Sequence, residues 1–312
     1  SDCPVNVDMA TYKAEFMHHH YKRRLRPLAH YSMGWLPILA RIAAMAPRPI
    51  NLLAHTPGLT TALRAAGGID QHRDVPRFAS ERFTTWFRRR HTPPRAARHG
   101  TVVLWPDTFT NSFDPHIAKA ALAVLEDAGF DVQVPRDAVC CGLTWISTGQ
   151  LDVANKVLER TLRVLAPALR DGTPVVVLEP SCAAVFRSDL PELRYGDEDA
   201  HRLAEQTRTL GELLRERAPE WRPPHHAKKA MMQPHCHQHA ILGVGKEHEV
   251  LSDAGVDTTI LDAGCCGLAG NFGFERGHYD VSVACAEDKL MPAVRAADPD
   301  TAVIADGFSC RT

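Results

Sequence analysis

The sequence predicts an α/β fold of two duplicated parallel-sheet units, each with a Cys-Cys-Gly motif, preceded by a mostly helical N-terminal segment. Three observations predict it. From Thr101 onward, short β-branched runs alternate with longer helical stretches, the rhythm of parallel strands covered by crossover helices. The triplet Cys140-Cys141-Gly142 recurs as Cys265-Cys266-Gly267. Before Thr101 the alternation is missing, and Pro and Gly punctuate basic, aromatic, helix-forming stretches.

Taken in order, residues 11–26 read as one basic, aromatic helix. The apolar run 34–46 reads as a buried or interfacial helix, buried being the commoner case. It is shorter than the roughly 18 to 20 apolar residues a bilayer crossing needs, and it contains Pro37 and Arg41. Pro93-Pro94 marks a boundary. Then follow a strand over 101–105, a helix over 115–128, a strand over 131–134, a long helix over 151–169 and a strand over 174–178. The second passage repeats the pattern, with strands over 230–233, 258–262 and 302–305 and helices over 247–254 and 279–296. Cys140 matches Cys265, Cys182 matches Cys310 and Asp107 falls opposite Cys236, all at nearly the same separation, so the chain reads as an internal duplication.

With 312 residues, 45% hydrophobic and 23% charged, the chain has the composition of a soluble globular protein of two domains. Its 36 Lys and Arg nearly balance 37 Asp and Glu, which gives no reason to expect nucleic acid as a partner. Arg82, Arg88, Arg89, Arg90, Arg95 and Arg98 crowd one stretch; a solvated basic loop is the simpler reading, a surface for an acidic partner or anionic lipid the other. Ser1-Asp2-Cys3-Pro4 has neither the basic start nor the apolar run of a signal peptide. Nine cysteines, an odd number that includes two adjacent pairs, favour metal or redox chemistry in a reducing, cytoplasmic compartment over a disulfide framework.

Each marker residue sits just after a predicted strand, and in open α/β sheets the carboxyl ends of parallel strands line one crevice. A Cys-Cys turn followed by Gly can present two sulfurs there. Thiolates are soft ligands, suited to zinc or to an iron–sulfur cluster. Cys236, Cys265, Cys266 and Cys310 supply four of them; Cys140, Cys141 and Cys182 supply three, with the harder oxygen of Asp107 in the fourth place, so the first site is expected to be weaker, zinc-loaded or empty. Cys285, isolated on a predicted amphipathic helix, is expected to be a small buried apolar residue. Among 17 histidines, His235 and His237 flank Cys236 and are candidate cofactor-binding residues, against the alternative that they only hydrogen-bond the loop. Gly270-Asn271-Phe272-Gly273 lacks the spacing of a dinucleotide fingerprint, so NAD is not expected.

Pro180-Ser181-Cys182, Pro234-His235-Cys236-His237, the run from Cys265-Cys266-Gly267 through Asn271-Phe272-Gly273-Phe274-Glu275, and Asp306-Gly307-Phe308-Ser309-Cys310 resemble the tandem Cys-Cys-Gly domains of redox complexes. These include the cysteine-rich subunit of heterodisulfide reductase and the iron–sulfur subunits of glycolate oxidase and anaerobic glycerol-3-phosphate dehydrogenase. The likeness is strongest to the fused FAD- and iron–sulfur-containing D-2-hydroxyacid dehydrogenases of the D-2-hydroxyglutarate dehydrogenase type. Cys3-Pro4 resembles the end of a bacterial ferredoxin motif, whose last cysteine precedes Pro.

The resemblance implies four parts: the end of a ferredoxin-like 4Fe-4S module over 1–26, a helical linker over 27–98, and cysteine-rich domains over 99–227 and 228–312. It implies an electron-transfer module, with Cys3, Cys140, Cys141, Cys182, Cys236, Cys265, Cys266 and Cys310 as metal ligands to iron–sulfur clusters, 4Fe-4S foremost. It also implies FAD in a missing domain or partner subunit, a quinone or carrier protein as electron acceptor, and an oligomer, in the cytoplasm or peripheral at the inner face of the membrane. On this reading the chain is a piece of a longer polypeptide, and no catalytic residue is assigned to it. One departure stands out: Cys182 is followed by Ala183-Ala184-Val185, with no fifth sulfur for a noncubane cluster. The rival reading is a zinc-stabilised docking module.

Overall fold

In the computed structural model, which describes residues 7–90 and 97–312, every ladder is parallel. β1 (Thr101–Leu104), β2 (Asp131–Gln133), β3 (Val175–Val176) and β4 (Thr207–Arg208) form a four-stranded sheet in the order β2-β1-β3-β4, and β5 (Lys228–Met232), β6 (Val256–Ile260) and β7 (Ala302–Ile304) form a second in the order β6-β5-β7. The first three strands of each passage thus share one topology. In both sheets the first strand pairs with the other two, as Val103 does with Gln133 and Val175, and Met231 with Thr259 and Val303. The region before β1 is helical, as expected, but the helix over Met9–His20 stops well short of Arg26, ahead of Pro27. Cys3, Pro93-Pro94 and Arg95 lie outside the described residues.

The first sheet is covered on both faces, which explains why its strands read as continuous apolar runs rather than alternating ones. Val103, Trp105 and Val175 face one core with Phe186, Leu158 and the helix Leu151–Arg170. Val102, Leu104 and Val176 face the other, with Phe83, Leu122, Leu125 and Leu213. The second sheet is barer. β5 buries Ala230, Met231 and Met232, while Ile260 and Val303 on the flanking strands stay exposed.

Two expectations need correction here. The helix expected over 279–296 is two helices, Tyr279–Asp288 and Leu290–Ala296, broken at Lys289. Pro292 causes the break: it has no N–H to donate, and its ring would strike the carbonyl of Asp288 in a continuous helix. Cys285 is exposed, not buried. It lies one turn after exposed Val281, and only Ser282 of that helix is buried, because the thin second sheet leaves the outer face uncovered. The apolar run 34–46 divides likewise. Its helix, Leu36–Ala43, buries Pro37, Ala40 and Ala43 but exposes Leu39 and Ile42.

The N-terminal region grips both units. Arg41 donates to the Val139 carbonyl at 2.8 Å, just before the first Cys-Cys turn. Arg73 donates to the Gly273 carbonyl at 2.8 Å and to the Ser282 hydroxyl, and the Asp70 amide donates to the Phe274 carbonyl at 2.8 Å. The crowded arginines are partly spent on local pairs, Arg89 with Glu81 and Arg90 with Glu126, which favours the solvated reading of that stretch. Among the described residues no helix is long and apolar enough to cross a membrane.

Phe186 is fully buried, edge-to-face with Trp105 at 4.8 Å. Phe186→Ala is expected to cost about 3–5 kcal/mol in urea unfolding. Leu25→Ala, at a position 90% exposed, is expected to change stability by less than about 0.5 kcal/mol.

Candidate metal centre

In the second unit, the turns leaving β5, β6 and β7 converge on a small cleft lined by Cys236, Cys265, Cys266 and Cys310, together with Gln233 and His235. Each turn has its own fastening. Gln233 donates from its side chain to the Gly264 carbonyl at 2.9 Å, tying the β5 exit to the Cys-Cys turn. The Gln238 side chain accepts from the His235 amide at 2.9 Å and donates to Asp306 at 2.5 Å, tying the same exit to the turn before Cys310. Gly267 is required twice over. Its φ is +90°, and a Cβ there would lie 2.0 Å from the Ser282 carbonyl oxygen. Its amide donates to the Cys265 sulfur at 3.3 Å.

Cys266 is hydrogen-bonded to both Cys265 and Cys310. The Cys265 thiol is held well up by its hydrogen bond to Cys266 and by burial. Burial, then the neighbouring Cys265 and Cys266, push Cys236 up to about 11. A cation in the cleft would hold these sulfurs as thiolates, against the burial and mutual contacts that raise their pKa values.

His235 is buried, and its ring packs against Gly307, where a Cβ would meet it at 2.1 Å. Burial, then His237, drive its pKa down to about 3. Its Nδ1 accepts from the His237 amide at 3.2 Å and lies 3.8 Å from the Cys236 sulfur. His237 stacks on it at 5.1 Å and has a buried Nδ1 without a hydrogen-bond partner. Ligand atoms of His235, Cys236 and His237 lie within 4.8 Å of one another, the one such trio found among the described residues.

The first unit brings Cys140, Cys141 and Cys182 together as well, but seals them in: all three are buried, in the core with Trp105 and Trp145. Cys182 contacts Cys141 sulfur to sulfur at 3.0 Å. Thr161, from the long helix, clamps the turn by donating to the Cys140 carbonyl at 2.9 Å and accepting from the Cys140 amide at 3.2 Å. The Cys140 thiol is pushed well up by its hydrogen bond to Cys141 and by burial. For Cys182 the hydrogen bond with Cys141 lowers the pKa, but burial and the nearby Asp107 and Glu179 carboxylates prevail and push it up to about 11.

Asp107 does not offer a free oxygen to this site. It caps the helix Thr108–Ser112, its carboxylate accepting from the Phe109 amide at 2.8 Å, the Thr110 amide at 2.9 Å and the Thr110 hydroxyl.

Sequence reading missed Glu179 altogether. It is buried and lies between the two units, with a pKa raised to about 7 by burial and then by Asp107. A signal for it was present: an acidic residue directly before Pro180 is a helix N-cap ahead of a proline at the first helical position.

Residues 108–187 match the family described as "Cysteine-rich domain" (CCG), a stretch that includes Cys140, Cys141 and Cys182. A subunit of the anaerobic glycerol-3-phosphate dehydrogenase of Escherichia coli K12 is 29% identical over 226 residues, covering 71% of this chain and 57% of that protein. D-2-hydroxyglutarate dehydrogenase of Pseudomonas putida is 24% identical over 322 residues, covering 99% of this chain but 31% of that protein. Lactate utilization protein A of Bacillus velezensis is 28% identical over 211 residues, covering 63% of this chain and 87% of that protein. The chain thus spans little more than half of the first relative and under a third of the second. The resemblance read from the cysteine motifs stands: the chain carries a cysteine-rich domain of the Cys-Cys-Gly type and is a relative of the cysteine-rich parts of these dehydrogenase and lactate-utilization proteins.

Proposed function

We propose that this chain is an iron–sulfur electron-transfer module of a flavin-linked dehydrogenase acting on a D-2-hydroxyacid such as D-2-hydroxyglutarate or D-lactate. Its units run over 99–227 and 228–312, and it works at or near the cytoplasmic face of the membrane. One observation carries the reading: four thiols from three different strand exits meet in one cleft. Cys236, Cys265, Cys266 and Cys310 match the four-thiolate demand of a cluster, 4Fe-4S foremost. When bound, such a cluster accepts and releases single electrons, the step needed between a two-electron flavin and a quinone or carrier protein. The chain's own part is to hold the sulfurs. The Gly267 amide hydrogen-bonds Cys265, and the buried His235, whose pKa burial and then His237 lower to about 3, adds no positive charge to the cleft wall. FAD, substrate and acceptor sites belong, on this proposal, to a further domain or partner subunit. Cys3 joins a separate ferredoxin-like cluster.

Zinc is the second reading, and the compact trio of His235, Cys236 and His237 favours it. The thiols favour a cluster: four of them, from three strand exits, line one cleft, which is the number a 4Fe-4S cluster takes. The first unit, with three sealed thiols and a carboxylate committed to a helix cap, is proposed to hold no cluster.

Protein purified without oxygen is expected to contain iron with matching acid-labile sulfide and a broad visible absorption that bleaches on reduction; zinc without sulfide would overturn the proposal. Cys265→Ser is expected to remove most of the cleft's iron and Cys140→Ser little of it, which iron analysis checks directly. After chelation, prolonged alkylation of the native chain at alkaline pH followed by mass spectrometry should label the exposed Cys236, Cys265 and Cys285 and spare Cys140, Cys141 and Cys182 until denaturant is added.

A further inference from the structure

The turn that carries Cys310 is short and is held from two sides. It follows a strand of three residues, Ala302–Ile304, and is itself a helix of four, Phe308–Arg311. A single helical turn is not self-supporting. Within its own unit the turn is held by Gln238 through Asp306 and by the His235 ring against Gly307; the groups that hold the start and outer face of its helix belong to the first unit.

Glu179 is the principal one, 2% exposed. One carboxylate oxygen accepts from the Ser181 hydroxyl at 2.7 Å and the Ser181 amide at 3.5 Å, at the start of the helix that carries Cys182. The other accepts from the Phe308 amide at 2.9 Å, at the start of the helix that carries Cys310. The Phe308 ring stacks on Phe109 at 4.2 Å and 11°. Phe109 in turn is set by the Asp107 cap. Arg311 adds a third hold, reaching Asp114 at 3.7 Å while donating to the Ala305 carbonyl at 3.2 Å.

We propose that Glu179 is a positioning residue for the metal centre of the other unit: the first cysteine-rich unit acts as the template that sets where the Cys310 sulfur stands relative to Cys266. The inference rests on the cluster reading above. It gives the first unit a task that needs no cluster of its own. The four polypeptide ligands are then not a property of the second unit alone, because one of them is placed by a carboxylate more than a hundred residues earlier in the chain.

The test uses the full protein, prepared without oxygen, with Glu179→Gln and Phe109→Leu. Glutamine keeps the volume and one acceptor oxygen but presents an NH2 group to either Phe308 or Ser181. Phe109→Leu leaves the carboxylate intact and removes the ring stack. Both variants are expected to keep the wild-type circular dichroism spectrum. Both are expected to alter the electron paramagnetic resonance line shape and midpoint potential of the reduced centre, and Glu179→Gln to speed loss of iron to a chelator by about tenfold, the scale of losing one hydrogen bond to a charged group. Neither spectrum nor potential would move if Glu179 served only the stability of the first unit. Wild-type line shape, potential and chelation rate in both variants would overturn the inference while leaving the cluster reading intact. A wild-type protein without iron would overturn the cluster reading, and this inference with it.

Discussion

Parallel pairing is the constraint on which the rest of this molecule depends. A parallel pair cannot be closed by a tight turn, so each strand must be followed by a long crossover before the chain can return. All the strands of a sheet then leave on the same edge. Trp105-Pro106-Asp107, the Cys140 turn and Glu179 through Cys182 therefore gather at one edge of the first sheet, and Cys236, Cys265-Cys266 and Cys310 at one edge of the second. No cysteine needs to be near another in sequence, except for the adjacent pairs. The glycines that follow those pairs supply the backbone conformation that turns both thiols inward, at φ +81° for Gly142 and +90° for Gly267.

The two edges carry nearly the same residues and have opposite solvation. In the first unit, helices cover both faces of the sheet and close over the thiols, so charge on sulfur is penalised by burial and by the carboxylates beside it. In the second unit the covering is thin, Cys236 and Cys265 reach solvent, and a cleft opens between the turns. Packing, rather than the cysteine motif itself, separates a closed thiol core from an accessible one. The exposed edge residues Ile260 and Val303 belong to the same thinness.

Much of this was legible in the sequence, because the strongest signals are local. Buried β-branched runs located the first three strands, and the recurring triplet, by pointing to a repeat of the same pattern, located β5, β6 and β7 and every thiol turn. β4 was not legible: Thr207-Arg208 is two polar residues, drawn into the sheet only because β3 offers an open edge, as the bond of 2.9 Å from the Val177 amide to the Arg208 carbonyl shows. Cys285 was misread because amphipathic spacing says which residues share a face, not whether anything covers that face. Asp107 was read as a weak ligand, when the residues right after it, Thr108 to Thr110, already give an Asp the amides to cap. For Glu179 only the cap ahead of Pro180 was legible; its second partner, Phe308, lies in the other unit, and no local pattern reports a contact at that distance.

The Asp107 cap has a consequence for how such a duplicated chain can change over time. If the two units began alike, regaining a fourth sulfur in the first would take more than Asp107→Cys. A thiol is a poor acceptor for the Phe109 and Thr110 amides, and losing such a cap costs about 1 kcal/mol. The same step would loosen Phe109, and with it the ring against which Phe308 rests. A reversal would therefore pass through an intermediate that is poorer at both edges, with a new sulfur still enclosed by Trp105 and Trp145. On that premise the asymmetry between the halves would work as a ratchet, because a position that has become a structural joint cannot turn into a ligand in one small step.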